Sequence, residues 1–380
     1  MAFRYSEQWI DQADVEAVLK VLNSDVIAQG PMVEQFEKLL TNYTAANHCK
    51  AFNSATSALH AGYLALGVGA NDIVWTSPNT FVATANAAQM CGAKVDFVDI
   101  NYSTRNIDLG SLEDKLRRAA KINALPKVVV PVHFGGLSCD MVGINALAKK
   151  YEFSVMEDAS HAIGGSYNNT VIGSCHYSDI AVFSFHPVKV ITTGEGGAAC
   201  TNCSTLNSKL ELYRSHGVTR RKKELFNKNL PKYFYEMQNF GFNYRLTDIQ
   251  AALGISQMKR LDEFVKKRNI LAEKYNSLLG KFDLNPVVVP EFSVSSFHLY
   301  TICINNRDVV YNYLHDRKIE ANVHYIPVHI HPYWKRLGFK KGDFPVAERY
   351  YNEALSLPLH PKLKEENLEY IVEQMISVFG

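Results

Sequence analysis

The chain has 380 residues, of which 47% are hydrophobic and 21% are charged. These values are typical of a folded globular protein, and they exclude an intrinsically disordered chain and a fibrous repeat. Because 40 basic side chains stand against 38 acidic ones, the net charge of +2 gives no electrostatic reason to expect nucleic acid as a partner.

The sequence carries no signal for a membrane or for secretion. No apolar run reaches the length of about 18 residues that a membrane helix needs. The first twenty residues, MAFRYSEQWIDQADVEAVLK, lack the basic segment and apolar core of a secretory signal. The seven cysteines are odd in number and scattered through apolar surroundings. We therefore expect reduced thiols, no membrane partner and a cytoplasmic location.

Residues 48–200 alternate between short apolar runs and helical patterns. The apolar runs are DIVWTS, KVDFVDI, PKVVVPVHF, FSVMED and IAVFSF, and their lengths suit strands that are buried on both faces. Helical patterns such as SATSALHAGYLALG lie between them. This alternation predicts an α/β fold with a mostly parallel, doubly wound sheet. The carboxyl ends of its strands meet at one edge, where ligands bind.

The second half of the chain has a different pattern of predicted helices and strands. Residues 245–280 predict a helical segment that stops at Gly280. Beyond Pro286, YTICI and ANVHYI predict short strands with a helical stretch between them, and ENLEYIVEQMISVF predicts a closing amphipathic helix. We expect a large domain over residues 1–260, including an N-terminal arm, and a smaller C-terminal α+β domain over residues 261–380.

Two motifs place polar residues at predicted strand ends and helix starts. NSATSAL at 53–59 opens a helix, and its small residues and free backbone N–H groups suit a phosphate. A simple helix cap by Asn53 or Ser54 explains the same motif. MEDASHA at 156–162 ends an apolar strand with Asp158. This carboxylate is either a cap for a following helix or an anion held opposite a cationic ring nitrogen.

Two further motifs complete the set. In VFSFHPVKVITTGEGGA at 182–198, Lys189 is either solvated or directed inward, and burial would favour its neutral, nucleophilic amine. In FGFNYRLTDIQAALG at 240–254, Asn243 and Arg245 precede a long helix, where a cap and a salt bridge are the structural alternative. Together the motifs supply a phosphate cradle, an acid and an amine, which are the groups that pyridoxal phosphate requires.

The motifs DASHA, FSFHPVK, TTGEGG and GFNYRLTDIQAA, in this order, resemble those of the DegT/DnrJ/EryC1/StrS family of pyridoxal-phosphate sugar aminotransferases. QGPMVEQFE and ALSLPLHP extend the resemblance over nearly the whole chain. The resemblance implies fold type I of the PLP-dependent transferases, which is aspartate aminotransferase-like, with the cofactor in the large domain. It also implies a homodimer with shared active sites.

The resemblance implies a role for each matching residue. Lys189 matches the catalytic lysine that binds pyridoxal 5'-phosphate covalently and later moves a proton as base and acid. Asp158 matches the carboxylate that keeps the ring nitrogen protonated. The other implied cofactor contacts are Phe81 stacked on the ring, His161 at the phenolic oxygen where much of the family has glutamine, Ala55, Thr56 and Ser184 at the phosphate, and Asn243 reaching the phosphate from the neighbouring subunit.

The motifs NSATSALH, NTFVATAN and RSHG resemble a branch that makes UDP-4-amino-4,6-dideoxy-N-acetyl-β-L-altrosamine for pseudaminic acid. This implies glutamate-dependent amination of a UDP-linked 4-keto-6-deoxy-N-acetylhexosamine. The expected sugar-side residues are Tyr5, Asp25, Val26, Ile27, Ala28, His324 and Tyr325. Relatives often have threonine at the position of Ala28, so another nucleotide keto-sugar (dTDP- or GDP-linked, or 3-keto) stays open. A PLP-binding regulatory protein without turnover is the third alternative.

Two patterns that suggest a metal are incomplete. Cys200 and Cys203 form a CxxC without a second pair at zinc spacing. His324, His329 and His331 lie around prolines and lack the helical pairing of a zinc protease. We therefore predict no metal site.

Overall fold

The computed structural model describes residues 3–227, 231, 233–282 and 284–378. The strands of the described residues are β1 (His48–Phe52), β2 (Ile73–Thr76), β3 (Lys94–Phe97), β4 (Val128–Val130), β5 (Ser154–Asp158), β6 (Ser166–Tyr167), β7 (Thr170–Val171), β8 (Ile180–Ser184), β9 (Gly197–Thr201), β10 (Val218–Thr219), β11 (Glu236–Met237), β12 (Ser293–Val294), β13 (Tyr300–Cys303) and β14 (Ala354–Leu357).

The α-helices are α1 (Gln12–Leu22), α2 (Pro31–Thr44), α3 (Ala55–Ala65), α4 (Ala83–Met90), α5 (Leu109–Ala120), α6 (Met141–Tyr151), α7 (Ser204–Arg214), α8 (Asp248–Met258), α9 (Leu261–Leu279), α10 (Arg307–Asp316), α11 (Pro332–Arg336), α12 (Pro345–Glu353) and α13 (Glu365–Ile376). Short 3-10 helices lie at Phe134–Gly136, Lys222–Glu224 and Val328–Ile330. In the described residues, no helix is both long enough and apolar enough to cross a bilayer.

A seven-stranded sheet in the order β1-β9-β8-β5-β4-β2-β3 forms the centre of the chain. The five strands from β8 to β3 are parallel to one another, and β9 is antiparallel to both of its neighbours. The α/β fold with a mostly parallel sheet is therefore confirmed. All five apolar runs that predicted strands between residues 72 and 185 contain one.

Strand β8 shows why the sheet carries helices on both faces. Ile180 and Val182 join a core cluster with residues of α3, α4 and α7, whereas Ala181 and Phe183 join another with residues of α2, α8 and α9. All four side chains are fully buried. A strand with four consecutive apolar residues is buried on both faces, as its continuous hydrophobic pattern predicts.

The register of the sheet sets where the site forms. Asp158 of β5 is paired with Val182 of β8, so the carboxyl ends of these parallel strands lie at the same edge. Strand β1 is antiparallel to β9, which is antiparallel to β8, so β1 points the same way as β8. Helix α3 follows β1, and its N-terminus therefore opens at this edge as well.

The predicted helical segment at 245–280 is two helices, α8 and α9. Between them, Arg260 leaves the helical conformation at φ −111° and ψ 5°. Its guanidinium donates to the carbonyl of Trp9 at 3.1 Å and pairs with Asp11 at 2.7 Å and with Asp14. The break between α8 and α9 therefore occurs where Arg260 contacts the N-terminal segment, and helix propensity alone does not indicate it.

The strand predicted at ANVHYI, residues 321–326, is wrong. Only Asn322 pairs with β14, through hydrogen bonds with Ser356 at 3.0 and 2.7 Å. The chain then turns away, and the N–H of Val328 donates to the carbonyl of Pro78 at 2.9 Å. Pro327 lacks the N–H that a continuing strand would need. The strand β13 and the helix α13, predicted from YTICI and from the closing amphipathic pattern, are both present.

Helix α9 contributes to two cores. Leu261 and Phe264 pack with the central sheet, whereas Leu271 and Tyr275 pack with β13 and β14. The boundary between residues 260 and 261 thus falls at the start of a helix that the two cores share. It stays a prediction, and residues 379 and 380 of the proposed C-terminal domain lie outside the described residues.

Candidate active site

A cavity of about 830 Å³ opens at the carboxyl edge of the sheet. One side is formed by the N-terminus of α3 and the ends of β5 and β8, and the other by Tyr5 and residues 322–325. The segment before α4 forms part of the rim. A volume of this size suits a cofactor or a small-molecule substrate.

Lys189 faces this cavity from the turn after β8. Its backbone N–H donates to the carbonyl of His186 at 2.9 Å, and its Nζ lies 3.4 Å from Nε2 of His298. Burial lowers the pKa of the Lys189 amine to about 8, although the carboxylate of Asp158 opposes this change. The inward interpretation of this lysine therefore matches the geometry, and a substantial fraction of the amine is neutral near pH 8.

Asp158 ends β5 with a carboxylate whose two oxygens are both engaged. Oδ2 accepts from Oγ1 of Thr84 at 2.7 Å, and Oδ1 accepts from the N–H of Ser160 at 3.1 Å. The residue is 5% exposed and lines the cavity. No helix begins between residues 159 and 165, so the helix-cap interpretation of this residue is wrong. The two donors hold the anion in one orientation.

The N-terminus of α3 forms a cradle for an anion. Ser54 is the cap, since its Oγ accepts from the N–H of Ser57 at 3.1 Å. The N–H groups of Ala55 and Thr56 have no hydrogen-bond partner among the described residues, and both residues line the cavity. A Cβ at Gly197 would lie 2.5 Å from the N atom of Ala55, so glycine allows β9 to approach this turn.

Ser184 completes the cradle from the end of β8. It is buried and lines the cavity, and its Oγ has only a long contact of 3.5 Å with the N–H of His186. Free N–H groups at a helix start together with a hydroxyl suit a phosphate. An amine, a carboxylate and this cradle in one cavity fit the three parts of pyridoxal phosphate that the resemblance assigns to them.

His161 has a defined tautomer. Its Nδ1 accepts from the backbone N–H of Gly135 at 3.2 Å, so the proton of the neutral ring is on Nε2. Nε2 lies 3.1 Å from the hydroxyl of Tyr325 and donates to it. Burial and the charge of Lys189 hold the pKa of His161 well below its usual value. The ring is therefore neutral and can donate from Nε2 only.

Tyr325 and His324 line the opposite side of the cavity. Nδ1 of His324 lies 2.8 Å from Oγ of Ser356, and its ring is 5.4 Å from that of Tyr5. Burial and Lys189 lower the pKa of His324 to about 3. Burial also raises the pKa of the Tyr325 hydroxyl. These groups are neutral hydrogen-bonding partners at physiological pH.

Ten of the fifteen predicted site residues line the cavity: Tyr5, Ala55, Thr56, Phe81, Asp158, His161, Ser184, Lys189, His324 and Tyr325. Phe81 is 58% exposed at the rim, and its ring lies 6.1 Å from that of Tyr325. The roles that the resemblance gives to these residues stay predictions.

The other five predicted residues, Asp25, Val26, Ile27, Ala28 and Asn243, do not line the cavity of their own chain. Residues 27 and 28 contact the start of α8, because Ala28 pairs with Thr247 and the N–H of Asp248 donates to the carbonyl of Ile27 at 3.0 Å. The carbonyl of Asn243 accepts from Nδ2 of Asn53, a cavity-lining residue, at 3.4 Å. The side chain of Asn243 is exposed. Thr247, and not Asn243, caps α8, since its Oγ1 accepts from the N–H of Gln250 at 3.2 Å.

Two polar partners of the predicted site residues were missed from the sequence. Thr84 is the partner of Asp158, and His298 is the partner of Lys189. Thr84 lies in a run of small residues that indicates only a helix. His298 follows the polar run SVSSF just before β13, and a single histidine at a strand start has no distinguishing signal. Both contacts depend on tertiary structure.

Comparison with known proteins gives a consistent match. A model of the DegT/DnrJ/EryC1/StrS aminotransferase family matches residues 8–376. The UDP-4-amino-4,6-dideoxy-N-acetyl-beta-L-altrosamine transaminase of Campylobacter jejuni is 38% identical, covering 98% of this chain and 96% of its own. The spore coat polysaccharide biosynthesis protein SpsC of Bacillus subtilis is 36% identical over the same shares of both chains.

Solved structures agree with these sequence matches. PseC of Helicobacter pylori, an aminotransferase involved in the biosynthesis of pseudoaminic acid, is 35% identical with a TM-score of 0.90, over 100% of this chain and 99% of its own. The PLP form of the putative sugar aminotransferase Spr1654 from Streptococcus pneumoniae is 28% identical with a TM-score of 0.90, over 100% of this chain and 98% of its own.

Proposed function

This chain belongs to the DegT/DnrJ/EryC1/StrS aminotransferase family, and from this membership we propose a specific reaction for it. The enzyme transfers the amino group of glutamate to C4 of a UDP-linked 4-keto-6-deoxy-N-acetylhexosamine, on the route to pseudaminic acid. The cofactor is pyridoxal 5'-phosphate. The observation that carries the proposal is the convergence of Lys189, Asp158 and the N-terminus of α3 on one cavity.

The residues of this chain have distinct tasks in that reaction. When bound, pyridoxal phosphate accepts electrons from the carbon that loses its proton and carries the amino group between the two substrates. Lys189 holds the cofactor and, once its amine is free, moves the proton, for which a pKa of about 8 is well suited. Asp158 stabilises positive charge on the ring nitrogen, and the N–H groups of Ala55 and Thr56 bind the phosphate.

Neutral hydrogen-bonding groups recognise the sugar. Tyr5, His324 and Tyr325 form the side of the cavity that faces the strand ends. The tautomer of His161 supports a donor role for Tyr325, because a hydroxyl that accepts from Nε2 of His161 keeps its own proton for another acceptor. A keto oxygen of the sugar is such an acceptor. The likeness to the C. jejuni transaminase and to PseC supports the choice of a UDP-linked keto-sugar.

The working form is a homodimer with shared active sites, located in the cytoplasm. Two observations support the dimer: neither Asn243 nor residues 25–28 line the cavity of their own chain, and Val26 and Ile27 are 43% and 50% exposed. Apolar side chains exposed together are typical of an interface. All seven cysteines are free thiols, five of them buried, which supports a reducing compartment.

The reaction is tested with the purified protein, pyridoxal phosphate, glutamate and a panel of nucleotide keto-sugars. We expect UDP-linked 4-keto-6-deoxy-AltNAc to be converted to a 4-amino product, identified by mass and by NMR of the new C–N bond. Faster turnover of a dTDP-linked, GDP-linked or 3-keto sugar would assign a different substrate to the enzyme while keeping it an aminotransferase of this family. Cofactor binding with no transfer to any sugar would contradict an enzymatic role.

Sharing of the sites is tested by mixing two inactive variants. K189A removes the amine from a cavity, and N243A removes the side chain proposed to enter the neighbouring one. In a mixed dimer, one site carries both changes and the other carries neither. The two variants are co-expressed with different tags, so that dimers of one K189A subunit and one N243A subunit can be isolated. We expect these mixed dimers to regain activity that each homodimer lacks. No recovery in a verified mixed dimer would place Asn243 in its own site.

A further inference from the structure

A buried histidine, His298, contacts the amine of Lys189 but does not itself line the cavity. His298 is 2% exposed, and its Nε2 lies 3.4 Å from Nζ of Lys189. Its Nδ1 is buried and has no partner among the described residues. The ring lies 4.4 Å from that of His161, measured between centroids. The contact with Nζ of Lys189 is therefore the one hydrogen bond that the imidazole nitrogens of His298 make with the described residues.

Two other buried histidines near Lys189, His161 and His324, have hydrogen-bond partners of their own. His161 uses Nδ1 to accept from Gly135 and Nε2 to donate to Tyr325. His324 uses Nδ1 for Ser356. Asp158 acts on Lys189 through its charge, while its oxygens accept from Thr84 and Ser160. Among the histidines that the structure describes, His298 is the one with a ring nitrogen within hydrogen-bond distance of Nζ of Lys189, at 3.4 Å.

The segment around His298 is held by Arg268 and by the backbone of residues 135 and 136. Arg268, itself 1% exposed, donates from Nη1 to the carbonyls of Phe297, His298 and Leu359 at 3.1, 3.3 and 2.9 Å. The N–H groups of Ser296 and Leu299 donate to the carbonyls of Gly136 and Gly135 at 3.1 and 3.2 Å. This bonding fixes the backbone of an irregular segment, so the imidazole has a defined position beside Lys189.

We propose that His298 is the positioning residue of Lys189: Nε2 accepts a hydrogen bond from Nζ and holds the amine in one place whenever the amine is not bonded to the cofactor. An ammonium group has only donors, so the proton of the neutral imidazole is then on Nδ1. The inference rests on the proposed function, because it gives the amine a defined place after the substrate has taken the cofactor.

The charges around His298 keep it an acceptor. Burial, together with the charges of Lys189 and Arg268, holds the pKa of His298 well below its usual value. A protonated imidazole would carry N–H on both nitrogens and could not accept from Nζ. Its neutrality therefore persists over the whole pH range in which Lys189 titrates.

The test follows covalent loading of pyridoxal phosphate onto the cofactor-free full chain, as the visible absorbance that develops between pH 6 and 10. This reaction needs the neutral amine, so the rate in the wild type rises with a midpoint near the pKa of Lys189, about 8. H298F removes the acceptor that favours the ammonium form. We expect its midpoint to fall by about one pH unit, as loss of a hydrogen bond to a charged group predicts.

Two matched variants separate positioning from packing. H298Q places an amide near Nε2 and is expected to restore the midpoint to within about 0.3 units, whereas H298N, with the shorter chain, is expected to shift it as H298F does. The control is H360F, since His360 is also buried, has an unpartnered Nδ1 among the described residues and lies near Arg268. It should lower thermal stability without moving the midpoint.

Each outcome decides the proposal. A common midpoint for H298F, H298N and the wild type would overturn it, and if H298F does not fold, the comparison of H298Q with H298N decides alone. An equal shift in H360F would also overturn it, because the effect would then come from packing. If the wild-type chain takes up no pyridoxal phosphate, the proposed function fails first and this inference fails with it.

Discussion

The two sides of the cavity are built from different kinds of structure. The strand side is defined by Ala55 at the start of α3, Asp158 and Ser184 at the ends of β5 and β8, and Lys189 in the turn after β8. The opposite side, Tyr5 with residues 322–325, comes from segments outside regular elements, near β14. The strand side carries the charges, and the opposite side carries neutral hydrogen-bonding groups.

This division has a physical reason. A parallel sheet aligns several strand ends and helix N-termini at one edge, so groups that must act together on a charged ligand are placed by the core itself. Irregular segments have no such constraint and can vary with the shape of a sugar. Changes on the strand side should therefore abolish the reaction, whereas changes on the opposite side should alter stability or substrate preference.

The largest effect is expected from K189A on the strand side. Loss of the amine that is proposed to hold the cofactor covalently and to move the proton should lower turnover by at least about 10⁴-fold. The measurement is the rate of glutamate-dependent amination with excess pyridoxal phosphate. The control K150A removes an exposed lysine that pairs with Glu113, and it should stay within about twofold of the wild type. Full activity in K189A would refute the mechanism.

The next effect is expected from D158N. The amide keeps the size of the side chain but removes the charge that is proposed to face the ring nitrogen of the cofactor, and we expect turnover to fall by about 10²–10³-fold. Its matched control is E157Q, because Glu157 is the adjacent buried carboxylate, bonded to His133 and Ser178 and not lining the cavity. Equal losses in the two variants would mean that general destabilisation, and not the ring nitrogen, explains the effect of D158N.

The strand side could be predicted from the sequence because its signals are local. Continuous apolar runs ending in Asp158 and in Ser184 indicate buried strands whose next residues reach the ligand edge, and both strands are observed. The small residues of NSATSAL indicate a close helix start, and there the cap and the free N–H groups are both present. Periodicity and strand ends contain this information without any tertiary contact.

The opposite side and the supporting contacts could not be predicted in the same way. Tyr5 and His324 are about 320 residues apart, and only the resemblance placed both at the sugar. ANVHYI alternates as a strand does, yet tertiary hydrogen bonds to Ser356 and Pro78 decide its course. Thr84 and His298 contact Asp158 and Lys189 across 74 and 109 residues of sequence, a distance over which a single sequence contains no pairing signal.

On the opposite side, His324 should make the protein sensitive to acid. Its pKa is about 3 in the folded chain and about 6.5 when unfolded, so the unfolded state binds the proton first. The stability that it contributes is complete above about pH 6.5 and is lost as the pH falls toward 3. H324N keeps a polar atom near Ser356 and does not titrate. Between pH 7 and 4 we expect the wild type to lose about 3 kcal/mol more unfolding free energy than H324N, measured by denaturant titration.

Equal acid sensitivity of the wild type and H324N would assign the loss to other groups, of which His161 and His298 are the neighbours. Their pKa values are also held below normal by burial and by Lys189. Comparing H298Q with H324N at each pH would then distinguish the contribution of His298, which contacts Lys189, from that of His324, which contacts Ser356.

The smallest effect is expected from Y325F. The hydroxyl of Tyr325 accepts from Nε2 of His161, so its own proton is directed elsewhere, and a keto oxygen of the bound sugar is the expected acceptor. Loss of one neutral hydrogen bond, about 1 kcal/mol, should raise KM for the keto-sugar about fivefold. The half-reaction with glutamate should change less than about twofold. The control Y43F removes a hydroxyl that donates to Asp262 outside the cavity and should leave both half-reactions unchanged.

If Y325F slowed the glutamate half-reaction as much as the sugar half-reaction, Tyr325 would belong functionally with the charged strand side, and the division between the two sides would not hold.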